Sequence, residues 1–355
     1  MGAGGGDRES EVRAAFARQA EWCAKLGSPF TSLLCRMLGE RLDRGTGLGR
    51  HVLDWPGKPD ALHDSVPLRL CGGLHGLVRA GRLPGLAALY PPNPMPEPDR
   101  LWAALTEAIE EAEPELLPWL DLPPQTNEVA RSAVLIAGLA VVAAETRHPL
   151  DLFELGASAG LNLLLDRYDV RLGRARYGDP ASSVKLSPEW EGGEPPAADI
   201  VISGRRGVDI SPIDLRNPAA RDRLLAYVWP DQPQRLARLE AALAIAAAEP
   251  PLVASGDAAS WLETALGRGE GAGSARVVLH SIAFQYFPKQ TQDRIASHLE
   301  AVGSAATADA PVAWLRYEME ELAGTPTLRL RVWPGGEDRL LAHADAHGRK
   351  VSWLC

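Results

Sequence analysis

Residues 151–162 read Asp-Leu-Phe-Glu-Leu-Gly-Ala-Ser-Ala-Gly-Leu-Asn, after a break at His148-Pro149. The apolar run Leu150–Leu155 has the length of a buried strand, and it ends in glycine. Gly156 would permit a tight strand-to-helix turn, and Gly160 would let a ligand approach the backbone. A helix starting there points free N–H groups at that ligand. Glu154, two residues before the first glycine, could hold a cationic amino group. The same residues also satisfy G-x-S-x-G, the nucleophile elbow of a serine hydrolase, with Ser158 as nucleophile and Asp and His residues downstream. Such an elbow follows several strands, whereas everything upstream here reads helical. The dinucleotide pattern G-x-G-x-x-G is not met, because Ser158 stands at its second glycine and the third is missing. A smaller nucleoside ligand fits better than a dinucleotide.

Two further strand ends carry carboxylates. Arg206-Gly-Val-Asp209-Ile-Ser-Pro212 ends a short strand in an acid, where a ribose diol is gripped at the edge of such a crevice. The alternative is an Asp in a cap or turn. Leu252–Trp261 ends an apolar run in Gly256-Asp257-Ala258 before a helix. Asp257 could accept from an exocyclic amine while the Ala258 N–H donates to the ring, or Asp257 is simply the N-cap of that helix.

In this order, E-x-G-x-S-x-G, G-V-D-x-S-P and G-D-A resemble the class I S-adenosylmethionine-dependent methyltransferases over about residues 149–355. The resemblance implies a cofactor loop of Glu154, Gly156, Ala157, Ser158, Gly160 and Asn162. It also implies a ribose acid at Asp209 and an adenine edge at Asp257 and Ala258. Two departures stand out: Ser158 replaces the usual glycine, and Glu154 lies 55 residues before Asp209. The ordinary spacing is about 20–25 in the analogous dinucleotide case, so residues 168–202 must loop out. The whole chain is also similar to an uncharacterised bacterial group, the domain of unknown function 2332. The shared phrases are Gln125–Arg131, Leu155–Asn162, Val228-Trp-Pro-Asp-Gln232 and His280–Tyr286.

Two phrases outside the cofactor motifs could touch a methyl acceptor. His280-Ser-Ile-Ala-Phe-Gln285-Tyr286 follows an apolar run. His280 has the titration range of a general base, and Gln285 and Tyr286 could orient the acceptor. A core histidine with packing aromatics is the alternative. Gln125-Thr-Asn127-Glu128-Val-Ala-Arg131 opens a long apolar helix. Asn127, Glu128 and Arg131 either face the crevice as substrate ligands, or serve as a cap and a surface ion pair. No Asn/Asp-Pro-Pro-Tyr motif follows the 277–282 run, which argues against methylation of nucleic-acid bases.

Around these motifs, residues 1–148 read as helices and no strand. Residues 149–355 alternate strand and helix, with seven strand candidates: Leu150–Leu155, Val208–Ile210, Leu252–Ser255, Val277–Ile282, Val312–Tyr317, Leu328–Trp333 and Lys350–Leu354. The last two flank Pro334-Gly-Gly336 and a polar stretch, as an antiparallel closing pair would. The expected architecture is α/β: a Rossmann-like, seven-stranded, doubly wound methyltransferase-type sheet (149–355, with a β-rich insertion at 168–202) under an N-terminal helical cap (1–148).

The 355 residues are 46% apolar and 23% charged, with net charge −9. No basic block offers a phosphate footprint, so nucleic acid is disfavoured. The four cysteines form no metal-spaced cluster, so no metal site is expected and free thiols suit a reducing cytoplasm. The longest apolar run, Ala133–Ala144, falls short of the about 20 residues that span a bilayer. The Gly-rich start lacks the apolar core of a signal peptide. The expectation is a cytoplasmic enzyme, monomer or homodimer, moving a methyl group from S-adenosylmethionine to an O or N of a small molecule. The alternatives are a Ser158 hydrolase and a non-catalytic binding protein.

Overall fold

A computed structural model describes residues 4–267, 272–319 and 325–355. The chain divides into two units. The first holds residues up to Thr126 together with Pro218–Ala237. The second holds Asn127–Asn217 and Arg238–Cys355.

In the first unit, α1 (Gly4–Lys25), α2 (Pro29–Arg41), α3 (Gly47–Leu53), α4 (Val66–Arg79), α5 (Pro84–Ala87) and α6 (Pro98–Asp121) surround one apolar core. Phe16, Leu38, Leu48, Leu70 and Leu105 are among its buried members. Helix α3 falls where Gly and Pro content predicts a loop. The Thr46 hydroxyl accepts from the Gly49 N–H at 3.0 Å and caps it. α7 (Arg131–Thr146) belongs to the second unit, and α8 (Pro218–Ala226) returns to the first. The return segment is built in. Asp231 accepts from the Ser28 hydroxyl and, at 2.7 Å, from the Phe30 N–H at the start of α2. His75 Nδ1 lies 2.9 Å from the Ala226 carbonyl. A β-carbon on Gly72 would meet the Tyr227 ring at 2.4 Å. The compact units therefore divide the chain elsewhere than a single cut at 148. α7 is apolar on all sides and buries itself on the sheet, while the returning segment completes the helical core.

The second unit is a mixed α/β body around a nine-stranded, mostly parallel sheet. Its strands are β1 (Leu150–Leu155), then β2 (Asp169–Leu172), β3 (Ala175–Gly178), β4 (Lys185–Leu186), β5 (Glu189–Glu191), β6 (Ile202–Asp209), β7 (Val253–Ser255), β8 (Ala275–Ser281), β9 (Val312–Met319), β10 (Pro326–Trp333), β11 (Asp338–Ala344) and β12 (Lys350–Trp353). The large sheet runs β5-β12-β11-β10-β9-β8-β1-β6-β7. All seven expected strands exist, but they do not make a seven-stranded sheet. Strand β11 lies between β10 and β12 and pairs with both, so the expected closing pair never meets. The β11 sequence mixes Asp, Arg and His with apolar residues and reads as polar loop. β5 adds a three-residue edge strand, Glu-Trp-Glu. The insertion supplies a separate three-stranded sheet, β3-β2-β4. Beyond it, β6 returns in parallel beside β1, so the long excursion does loop out.

Helix α9 (Pro233–Ala248) leads to β7, and α10 (Ala258–Ala265) and α11 (Lys289–Gly303) follow the parallel strands. Side-chain alternation sorts the two sheet faces. Phe153, Val278, Val312 and Trp314 pack with Leu262 of α10 and with Ile295 and Leu299 of α11. The intervening residues face α7. A β-carbon on Gly138 would sit 2.4 Å from Leu315, which shows how closely α7 lies on β9. No described helix is long and apolar enough to cross a membrane.

Candidate functional site

From β1 the chain proceeds outward one way, to β6 and β7, and then the other way, through β8 and β9. The C-terminal ends of β1 and β8 thus flank the switch point where an open parallel sheet leaves a crevice. Glu154 and Gly156 stand at one lip, Ser281 and Ile282 at the other.

Glu154 faces α7 and is buried at 2% exposure. Its Oε1 accepts from Asn162 Nδ2 at 3.2 Å, while Oε2 is buried without a hydrogen-bond partner among the described residues. Burial pushes its carboxyl up to about 8; the nearby Asp209 charge adds to the rise, against the Asn162 hydrogen bond and the Arg131 charge. Asn162 is a hub. It accepts from the Ser132 hydroxyl at 2.9 Å and donates towards Ser281 Oγ at 3.4 Å. Asp209, half-buried at the tip of β6, accepts from the Ser158 N–H at 2.8 Å and the Ser211 N–H at 2.9 Å. Both oxygens thus hold the loops at the rim. Ile210 beside it is 78% exposed.

The loop differs from its sequence expectation in three ways. First, Leu161–Arg167 is a seven-residue 3-10 helix rather than an α-helix. The Tyr168 hydroxyl donates to the Leu161 carbonyl at 2.6 Å, and β2 begins at once. Second, the free helix donor is already used: the Leu161 N–H donates to Asn127 Oδ1 at 3.0 Å. Asn127 therefore does not cap α7, which starts four residues later behind Ala130. Third, neighbouring side chains fill the space over both glycines. A β-carbon on Gly156 would meet Ala283 at 2.7 Å, and one on Gly160 would meet Pro251 and Val253 at 2.8 Å. Gly156, Ser158 and Gly160 all have left-handed backbones, with φ of 69°, 54° and 73°. Ala157 is buried, and the Ser158 hydroxyl is buried with no partner among the described residues.

Residues 127–131 are brought to this place. Glu128 is buried, accepts from the Ala130 N–H at 3.1 Å and lies 3.5 Å from Arg238 Nη1. The Arg131 guanidinium donates to the Ser281 carbonyl at 2.9 Å and the Ala346 carbonyl at 3.0 Å.

His280 is placed differently. Alternation along β8 sends it to the face opposite Glu154 and Ser281, where it stacks on Phe284 with centroids 4.7 Å apart. Its Nε2 accepts from Trp314 Nε1 at 3.0 Å, which assigns the proton to Nδ1; Nδ1 donates to Glu318 Oε1 at 2.7 Å. Both nitrogens are engaged, so neither is available to take a proton from an acceptor. Gln285 is half-buried and Tyr286 is 52% exposed on the loop beyond. Asp257 is the N-cap of α10. It accepts from the Ser260 N–H at 2.9 Å and from Thr291 at 3.1 Å, and it pairs with Arg294 at 3.3 Å. These hydrogen bonds, led by the Ser260 N–H, hold its carboxyl below the usual range. As the first helical residue, Ala258 has no intrahelical partner for its N–H.

Residues 13–353 match a family described as "Uncharacterized protein conserved in bacteria (DUF2332)". The chain belongs to the DUF2332 family. A comparison with curated proteins finds no match. A solved structure titled "DhpI-SAM-HEP complex" is similar at 14% identity, over 60% of this chain and 77% of that one, with a TM-score of 0.20. In this DUF2332 chain, residues 127–131 of the first phrase noted in the sequence meet the phrases 155–162 and 280–286 around the ends of β1 and β8. The fourth, 228–232, belongs to the first unit, where its Asp231 caps α2. Reading the sequence alone passed over Ser132, Ser281, Arg238 and Ile210. For Ser281, the period of two along an apolar strand was the available signal: it puts Ser281, not His280, on the Glu154 face.

Proposed function

We propose that the protein is an S-adenosylmethionine-dependent methyltransferase acting on an oxygen or nitrogen of a small molecule. The observation that carries this reading is Glu154: a buried carboxyl at the switch point of a parallel sheet, with one oxygen lacking a partner among the described residues and an acid at the tip of the adjoining strand. A buried carboxyl oxygen left unpaired is costly unless a ligand uses it. A cationic amino group suits it, since binding would draw off its proton and leave a charge-assisted hydrogen bond. Glu154 and Asn162 would hold the amino-acid end of the cofactor and Asp209 the ribose. Ile210 and the Ala258 N–H would line the adenine end.

When bound, the cofactor supplies an electrophilic methyl on a sulfonium sulfur. The protein's part is to align the acceptor with that carbon and keep water away. Tyr286 and Gln285 would orient the acceptor. Glu128 and Arg131 would line the pocket from the segment that leads into α7, and His280 orients Glu318 rather than carrying a proton in transit. The test is calorimetric titration with S-adenosylmethionine and S-adenosylhomocysteine. Binding should weaken about tenfold or more in Glu154→Gln, the loss of one charge-assisted hydrogen bond. Failure of both ligands to bind the wild-type protein would end this reading.

A serine hydrolase is the second reading. The left-handed Ser158 in G-x-S-x-G and its partnerless hydroxyl favour it. Against it, no base among the described residues stands within hydrogen-bond reach of that hydroxyl. A fluorophosphonate probe that labels the wild type but not Ser158→Ala would establish it.

A further inference from the structure

We propose that residues 282–287 form a lid over the β1 glycine turn, latched from both sides and carrying stored backbone strain that favours its opening. The lid's position is direct: Ala283 and the Phe287 ring occupy the space above Gly156. Its latches are two side chains from other elements. Glu318 Oε1 accepts from His280 Nδ1 at 2.7 Å, the Ala283 N–H at 3.1 Å and the Phe284 N–H at 3.2 Å. Gln292 Nε2 on α11 donates to the Phe284 carbonyl at 3.1 Å and the Phe287 carbonyl at 2.9 Å. The strain sits at the hinge. Ile282 has φ 47°, a left-handed backbone that a β-branched residue almost never adopts, and it is held there by its N–H donating to the Tyr317 carbonyl at 2.8 Å.

Each feature needs the others. Without the latches, Ile282 would relax to an ordinary conformation and carry Ala283 and Phe287 away from Gly156. Without the strain, the segment would be a plain loop. A strained segment over-determined by its surroundings is the arrangement expected of a bistable element. His280 then acts as a positioning residue: it orients Glu318, which holds two lid amides. A ligand reaching the Gly156 backbone must displace the lid; this last point rests on the cofactor reading above.

Hydrogen exchange by mass spectrometry on the full chain tests the lid without any ligand. Gln292→Ala removes two latch bonds from a half-buried helical position. It should accelerate exchange across 283–287 about tenfold or more, with 275–279 of β8 unchanged. Ile282→Asn relieves the strain, since Asn tolerates the left-handed region, and should slow the same amides about threefold or more. The proposal is overturned if Gln292→Ala leaves 283–287 unchanged or speeds β8 equally, or if Ile282→Asn speeds the lid amides. Stopped-flow association of S-adenosylhomocysteine is the second readout, expected to quicken in Gln292→Ala by the factor seen in exchange. If that ligand binds neither protein, the cofactor reading fails, and the exchange result alone decides the lid.

Discussion

Replacing Glu154 with glutamine keeps the shape of the side chain and removes one titration. In the wild type the carboxyl sits at about 8 instead of 4.5, so the native chain keeps a proton that the unfolded chain has released. Stability therefore falls as pH rises through that window: this contribution is fully present below the unfolded value and fully lost above the folded one. At about 1.36 kcal/mol per pH unit the whole loss is about 5 kcal/mol, of which about 4 kcal/mol falls between about pH 5 and about pH 9. Glutamine has no such term. Urea unfolding of both proteins across that range should show the variant gaining on the wild type by several kcal/mol, crossing from near parity in acid to a clear advantage in base. A difference between the two that stays constant with pH would refute the claim that Glu154 is buried and protonated in the native state.

Other consequences follow from the same contacts. S-adenosylhomocysteine affinity should rise with pH towards about 8 in the wild type and stay flat in Glu154→Gln, because binding a cation there releases the proton; calorimetry in buffers of different ionisation enthalpy reads it. Asp209→Asn sets an amide nitrogen against one of the two N–H donors, of Ser158 and Ser211, that its oxygens accept from, and should cost about 1–3 kcal/mol in chemical denaturation. Gly138→Ala forces a methyl into Leu315 and should cost about 1–3 kcal/mol, read as a lower melting temperature. Asp231→Ala leaves the start of α2 uncapped, for a loss of about 1–2 kcal/mol.

In the parallel half of the sheet, β1, β8 and β9 were legible because they are largely buried and read as apolar runs, while β6 and β7 were marked by the Asp and Gly-Asp that follow their short apolar ends. Strand β11 was hidden because an antiparallel strand near an edge tolerates Asp, Arg and His. The α3 helix was hidden by its glycines, although Thr46 was a visible cap. At the site, the turn pointed to Glu154, the strand end to Asp209 and the methyltransferase resemblance to Asn162; the structure brings Glu154 and Asn162 into contact, with Asp209 at the tip of the adjoining strand. His280 was misplaced because its residue type suggested a base, while the alternation along β8 pointed it at Trp314 and Glu318. Asp257 satisfied two readings at sequence level, and only the contacts to Ser260 and Thr291 identify it as a cap. Asn127 looked like a cap for the helix in front of it; the donor it satisfies lies 34 residues further on.

The chain crosses between the two units three times, after residues 126, 217 and 237. The helical unit is thus discontinuous in sequence, and its missing piece carries Ala226, Tyr227 and Asp231. On the ribosome, the first 126 residues emerge long before the segment that fills the groove over Gly72 and caps α2. They must wait, incompletely packed, while β1 to β6 are made. A fragment cut at residue 148 would lack that segment permanently, so dissection into independently expressed halves calls for grafting 218–237 onto the N-terminal piece by a short linker.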